Sequence, residues 1–246
     1  IILITSVIAI FSVVYSLMLK DYYRSESLLI SADSQTSSSL SQYSGLASLA
    51  GIGLPGSSGD SVYEMIAIIK SREFVKHLMT FEGVVPSLMA PKTYDPSTGR
   101  LIFDSEDYTE ETKEWIRSPV NNNIEPSYLE VHKAYLGSLS VIQDKETRLI
   151  SITFEHISPL FAKELVSLVI KEATSLKREK DIRTSSKALT YLKEELSKTS
   201  LIEIKGSINQ LIESQLETMM MAKVKDEYSL VIIEPPFVPE KKSKPF

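Results

Sequence analysis

Apolar residues fill the chain from Ile1 to Leu19, IILITSVIAIFSVVYSLML, with no charge and only five hydroxyl residues, Thr5, Ser6, Ser12, Tyr15 and Ser16. As a helix, that length matches the hydrocarbon thickness of a bilayer, so the pattern predicts a membrane span. A signal peptide has a similar apolar region. No small-x-small cleavage pattern follows before Lys20, Asp21, Tyr22 and Tyr23, however, which favours an uncleaved anchor. The first residue is Ile rather than Met, so residues are expected upstream, and that flank gives no charge bias from which to read orientation.

Past the anchor the period shortens. Tyr23 to Ser31, YRSESLLIS, alternates and predicts a first strand. Ser34 to Ser61 is rich in Ser and Gly with almost no charge, the composition of a loop or linker. Within it Gly51, Gly53 and Gly56 spell GIGLPG, formally a dinucleotide fingerprint, but Pro55 interrupts it, no strand feeds it directly and no acidic residue follows at the required distance. Asp60 can cap a helix over Ser61 to Met79, with Val62, Ile66 and Ile69 on one face and Ser71 able to restart it before Phe74, Val75 and Leu78. Gly83 to Ser127 holds five of the eleven prolines, the lone Trp115 and an acidic patch at Asp104 to Glu114. It predicts irregular chain with one short helix around Glu110 to Arg117. Ser138 to Glu155 shows two alternating runs around Asp144-Lys145-Glu146, the pattern of a β-hairpin.

A long helix then opens with Ser158 at the cap and Pro159 at its first position. Helical spacing persists through Phe161, Leu165, Leu168, Val169, Leu176, Leu189, Leu192 and Leu196. A capping box, Ser200 to Glu203, predicts a turn near Lys198 to Ser200 and a return helix whose stripe is Ile204, Ile208, Leu211 or Ile212, Leu216 and Met219. Gly206 costs that helix about 1 kcal/mol relative to Ala and predicts a kink or a close helix contact. Ser229 to Ile233 reads as a last strand. After it Pro235, Pro236, Pro239 and Pro245 forbid helix or central-sheet positions.

Strand, helix, strand, strand, helix, strand is the order of a split βαβ, or ferredoxin-like, arrangement. The fold class expected is α+β: a membrane-anchored ferredoxin-like α/β base domain carrying a long protruding helical hairpin. The outgoing helix, Pro159 to Lys198, would span about 60 Å and the return, Leu201 to Lys225, about 38 Å, leaving about 20 Å to cross the sheet. The divisions are 1–19 for the transmembrane helix and 20–157 for the α/β base with its Ser/Gly-rich loop at 34–61. The hairpin takes 158–228, and 229–246 the return strand and proline-rich segment.

Composition narrows the chemistry. With 43% hydrophobic and 24% charged residues the chain is ordinary globular material beyond its anchor, and a net charge of −5 argues against a nucleic-acid partner. No cysteine is present, which excludes disulfides, thiolate chemistry and cysteine-based zinc sites. Carboxylates cluster at Asp104, Glu106 and Asp107 and at Glu194 and Glu195, in the manner of solvated charges. His77, His132 and His156 are scattered, and neither GxSxG nor HExxH occurs. No catalytic residue, metal ligand or cofactor is assigned. Arg72, Arg100, Arg117, Trp115 and the tyrosines could contact a glycan, but none is singled out. Leu189, Leu192, Leu196, Ile204, Ile208 and Leu211 are the candidates for packing within the hairpin or between subunits.

These stretches together resemble the bacterial chain-length determinant family, the Wzz-type polysaccharide co-polymerases, over nearly the whole chain. The likeness is carried by the apolar span followed by YRSESLLIS, by GLASLAGIGLPG, IIKSREFVKHL and LKEELSKTSLIEIKGSINQLIESQ, and most specifically by MMMAKVKDEYSLVIIEPPFVPEKKSKP. The family places such a proline-rich segment before a second membrane span. The resemblance therefore implies that Pro235, Pro236, Pro239 and Pro245 lead into a span absent from these residues, and that Lys241, Lys242 and Lys244 lie on the periplasmic side, against a simple positive-inside reading. It further implies a bacterial inner-membrane protein, largely periplasmic, that forms a homo-oligomeric ring in membrane lipid. Such a ring sets, without enzymatic activity, the length of a surface polysaccharide such as lipopolysaccharide O antigen, made by a polymerase acting on the growing glycan. The alternative is the periplasmic module of a bacterial tyrosine autokinase, whose P-loop and tyrosine-rich tail would lie after the second span.

Overall fold

The computed structural model describes residues 20–32, 58–117 and 124–244. The apolar run Ile1 to Leu19, residues 34–57 of the Ser/Gly-rich stretch and Pro245 lie outside the described residues. Among the described residues no helix is long and apolar enough to cross a membrane.

The fold is mixed helix and sheet with a long helical region. Its spine is β1 (Tyr22–Ser31), central in an antiparallel sheet of order β6-β7-β1-β8, with β6 Leu139–Gln143, β7 Ile150–His156 and β8 Leu230–Glu234. Register follows alternation: Ser25, Ser27, Leu29 and Ser31 face one way, Arg24, Glu26, Leu28 and Ile30 the other, and Leu29 lies opposite Ile150 on β7 and Ile232 on β8. Ile150, Ile152, Phe154, Leu139 and Val141 share the buried face.

Helices cover that face. α1 (Ser58–Lys70) contributes Val62, Met65 and Ile69, and α2 (Arg72–Leu78) contributes Phe74, Val75 and Leu78. The two are one apolar stripe broken at Ser71, whose hydroxyl accepts from Phe74 N and caps the second piece. α1 begins at Ser58, so Asp60 lies inside its first turn rather than at its cap. α3 (Val84–Met89) leads to a small hairpin of β2 (Pro91–Asp95) and β3 (Arg100–Phe103).

The helix expected around Glu110 to Arg117 is absent. Here β4 (Tyr108–Thr109) pairs with β5 (Glu114–Trp115), the turn between them places Lys113 at φ 57°, and the Trp115 and Tyr108 rings pack 5.0 Å apart across the pair. Cross-strand aromatic packing outweighs a weak local helix preference. Conversely, α4 (Tyr128–Ser138) forms in a stretch to which the pattern had assigned no element. Ser127 and Glu130 make a reciprocal capping box, a motif legible in the sequence, and Val131 and Tyr135 are fully buried, with the Tyr135 hydroxyl donating to the Ile69 carbonyl.

α5 (Pro159–Lys198) and α6 (Ile202–Val224) complete the chain before β8. Ser158 caps α5 by accepting from Phe161 N, with Pro159 at the start. The capping box expected at Ser200 does not form; the cap is Leu201, without a side-chain bond. α6 runs unbroken through Gly206, and a Cβ there would meet nothing within 4 Å, so the expected close helix contact is not present.

After β8 the chain stays beside β1. Pro235 and Pro236 supply no amide donors, and the flanking carbonyls of Glu234 and Phe237 instead accept from the buried hydroxyls of Ser27 and Ser25, at 2.7 Å each. Further along, β9 (Lys242–Lys244) pairs with Tyr22 and Tyr23. Replacing Ser25 and Ser27 together by Ala is expected to cost about 1–3 kcal/mol and to speed amide exchange from Phe237 to Lys244. Exchange unchanged in that segment would contradict the role given to the two serines.

Candidate functional site

α5 buries different sides along its length. Up to Ala173 its buried residues, Ala162, Leu165, Val166, Val169 and Ile170 among them, belong to the core over the sheet. Beyond Arg178 its main neighbour is α6, and the two run together for about 30 Å at a rise of about 1.5 Å per residue. In this hairpin Leu189, Leu192 and Ile208 are buried, Leu196 and Leu211 are half-buried, and Ile204 is 46% exposed. Three of the six candidate packing residues are therefore covered within the single chain.

The outer side of α6 was not distinguished by its spacing. Leu216, Met220 and Val224 stand at i, i+4 and i+8, one stripe of a helix, and Met220 and Val224 are 61% and 77% exposed. Ile202, near the tip, is 86% exposed. Leu216 is thus not part of the inner stripe that periodicity assigned it to, because two apolar stripes lie on one helix and only a partner determines which is covered.

Where α5 leaves the sheet, an ionic cluster holds it. The ammonium of Lys177, nearly buried, lies 2.7 Å from Asp181 and 3.0 Å from Glu64 on α1. Lys180 reaches the same Glu64 at 2.5 Å, and the Tyr228 hydroxyl donates to Asp181 at 2.8 Å. Arg178 donates to the carbonyls of Lys225 and Asp226, both at 2.7 Å, closing the end of α6 onto α5. Burial acts to lower the Lys177 pKa, but hydrogen bonds to Asp181 and Glu64 outweigh it and hold the group above its ordinary value. Burial likewise pushes Glu64 up, and the two ammonium groups bring it below the usual carboxylate range. Lys177 and Glu64 stay charged near neutrality, and the cluster joins α1, α5 and the approach to β8. An open groove of about 370 Å³ lies beside it, lined by Ile170, Thr174, Arg178, Leu230 and Ile232 among others.

Groups that could carry catalysis are dispersed. Asp104 accepts from Glu106 N and from Lys92, which lower its pKa, while Glu194 and Glu195 pair with Lys198 in solvent. His77 meets Glu172, His132 meets the Lys70 carbonyl and His156 the Ser87 carbonyl, each in a different part of the fold. Among the described residues no three His, Asp or Glu side chains gather as a metal site. Arg117 forks onto Glu130 at 2.9 and 3.2 Å and donates to the Ile124 carbonyl, a structural bracket for α4. The prolines at 235, 236 and 239 follow β8, and Pro245 lies outside the described residues.

No family model matches the chain, and no curated protein matches it. Among solved structures, a fragment of WzzB, a polysaccharide co-polymerase from Salmonella Typhimurium, aligns with it. The match covers 92% of this chain and 100% of that one at 11% identity, with a TM-score of 0.40. A superposition that loose transfers neither a fold nor a role, and the reading of this chain rests on its own residues.

The cluster and the buried histidine each give a measurable consequence. Lys177→Ala leaves Asp181 without its ammonium and Glu64 with Lys180 alone, and is expected to cost up to about 3–5 kcal/mol in chemical unfolding. Replacing Lys177, Asp181 and Glu64 together by apolar residues should recover much of that loss; an equally large loss in the triple variant would contradict an electrostatic origin. His156 accepts from Ser158 N at Nδ1 and donates to Ser87 O from Nε2, so both ring nitrogens are used by the neutral form. Burial lowers its pKa to about 4 from 6.5, against the pull of those two backbone bonds. The unfolded chain binds the proton first, so stability is intact above pH 6.5 and declines towards pH 4, by about 3 kcal/mol for this group. His156→Gln should flatten that part of the stability–pH curve.

Proposed function

We propose that the chain is a non-enzymatic regulator of surface polysaccharide length, of the kind its sequence resembles. In this reading a ferredoxin-like base sits at the bacterial inner membrane, held by the Ile1 to Leu19 span, with most of the chain in the periplasm. Several copies form a ring around a membrane polymerase and its growing glycan, such as O antigen. The observation that carries it is the exposed stripe Leu216, Met220 and Val224 on a hairpin that extends about 30 Å past the sheet. A helix pair that already buries Leu189, Leu192 and Ile208 has no use for a second apolar stripe unless another surface covers it. The ionic footing at Lys177 supports the same reading, since a scaffold acts by holding its projections at a fixed angle.

The test is the mass of the detergent-solubilised full-length protein by light scattering. An assembly of several copies is expected, and Met220→Glu with Val224→Glu should shift it towards smaller species while leaving the helix content of each chain unchanged. A wild-type protein that is a stable monomer at micromolar concentration would overturn the proposal.

A further inference from the structure

The two ends of the described chain meet at one end of the sheet. Tyr22 pairs with Lys244 and Tyr23 with Lys242, three and four residues beyond the apolar run that stops at Leu19. Six cations gather there: Lys20, Arg24, Lys92, Lys241, Lys242 and Lys244, all exposed. Lys20 donates to the Pro91 carbonyl at 3.2 Å, which places the β2–β3 hairpin beside them, and the Tyr23 and Tyr94 rings meet edge to face at 6.4 Å. Three carboxylates answer the six cations: Asp21 takes Lys242 at 3.1 Å, Asp104 takes Lys92 at 3.3 Å, and Glu155 takes both Arg24 and Lys244. Lys20 and Lys241 are in no ion pair among the described residues. With exposed Glu240 beside Lys241 counted as a fourth carboxylate, six cations still outnumber the acids at this end of a chain of net charge −5, and partly exposed tyrosines lie among the lysines.

We propose that this end of the sheet, where β1 starts and β9 finishes, docks on anionic phospholipid headgroups. The proposal rests on the anchor reading and adds to it the lipid chemistry and the residues. Lysine ammonium groups take the phosphates as point charges, and tyrosines suit the depth where a ring can be half in hydrocarbon and half wet. The surface fixes the base upright, because β1 and β9 are held to the headgroups at the level where the apolar run ends. A neutral zwitterionic surface lacks the net charge that would draw the six cations down.

The experiment places the full chain in nanodiscs of phosphatidylcholine, alone or mixed with phosphatidylglycerol, and follows amide exchange over residues 20–24 and 242–244. Exchange is expected to slow about fivefold or more with phosphatidylglycerol and to return at about 0.5 M salt. Lys20→Gln with Lys241→Gln removes cations that are outside any ion pair and should abolish most of the slowing. Asp21→Lys with Lys242→Asp keeps both the pair and the total charge and should respond as the wild type does. Equal exchange in the two lipid mixtures overturns the proposal. Alkaline carbonate extraction separates this from the anchor reading. If the chain washes off the membrane, the anchor fails, and docking is then read from co-sedimentation with phosphatidylglycerol vesicles: salt-sensitive binding supports the surface, and absence of binding overturns it.

Discussion

One helix has to serve two cores. α5 packs its first half on the sheet and its second half on α6, without a break in 40 residues. Its buried side therefore changes partner near Lys177, just where neither core is complete. An apolar residue there would be covered from only one side, whereas a lysine can place its stem along the helices and its ammonium between Asp181 and Glu64. The cost of removing those charges from water is offset by the bonds that Lys177 donates to Asp181 and Glu64 and by the Tyr228 hydroxyl. The direction in which the hairpin leaves the base depends on that arrangement.

A second constraint comes from the prolines. A strand ending in two prolines cannot continue an amide ladder, yet the chain after β8 remains against β1 through two serine hydroxyls and then returns to amide pairing at β9. Small hydroxyl residues on the buried side of β1 thus do what ladder donors cannot. This brings the last described residues next to the first, and places the lysines of the tail among the cations and tyrosines that precede and open β1.

Together these features leave the chain with a cationic end of the sheet and an apolar flank on α6. The flank stripe, Leu216, Met220 and Val224, is compatible with association of like chains, while the cationic end is compatible with a charged surface. The groups that could carry catalysis are dispersed: Glu194 and Glu195 pair with Lys198 in solvent, Asp104 with Lys92, and the three histidines are satisfied separately.

Local chemistry made much of this legible in the residues alone. Ser158 with Pro159 marks the start of the long helix, the alternation on either side of Asp144 marks the β6–β7 hairpin, and Ser71 marks the break between α1 and α2, since caps and periodicity depend only on neighbours in the chain. The α4 capping box was equally local and was obscured by the prolines around it, while the expected Ser200 box gave way to a cap at Leu201. Which stripe of α6 is covered, how β9 finds β1, that Tyr108 to Trp115 folds as a strand pair in place of a helix, and that Lys177, Glu64 and Tyr228 converge were decided only by the tertiary structure. Each depends on partners many residues away in the chain, and the free energy of burying an apolar side chain or a charge is set by what lies opposite it, which spacing along the chain does not specify.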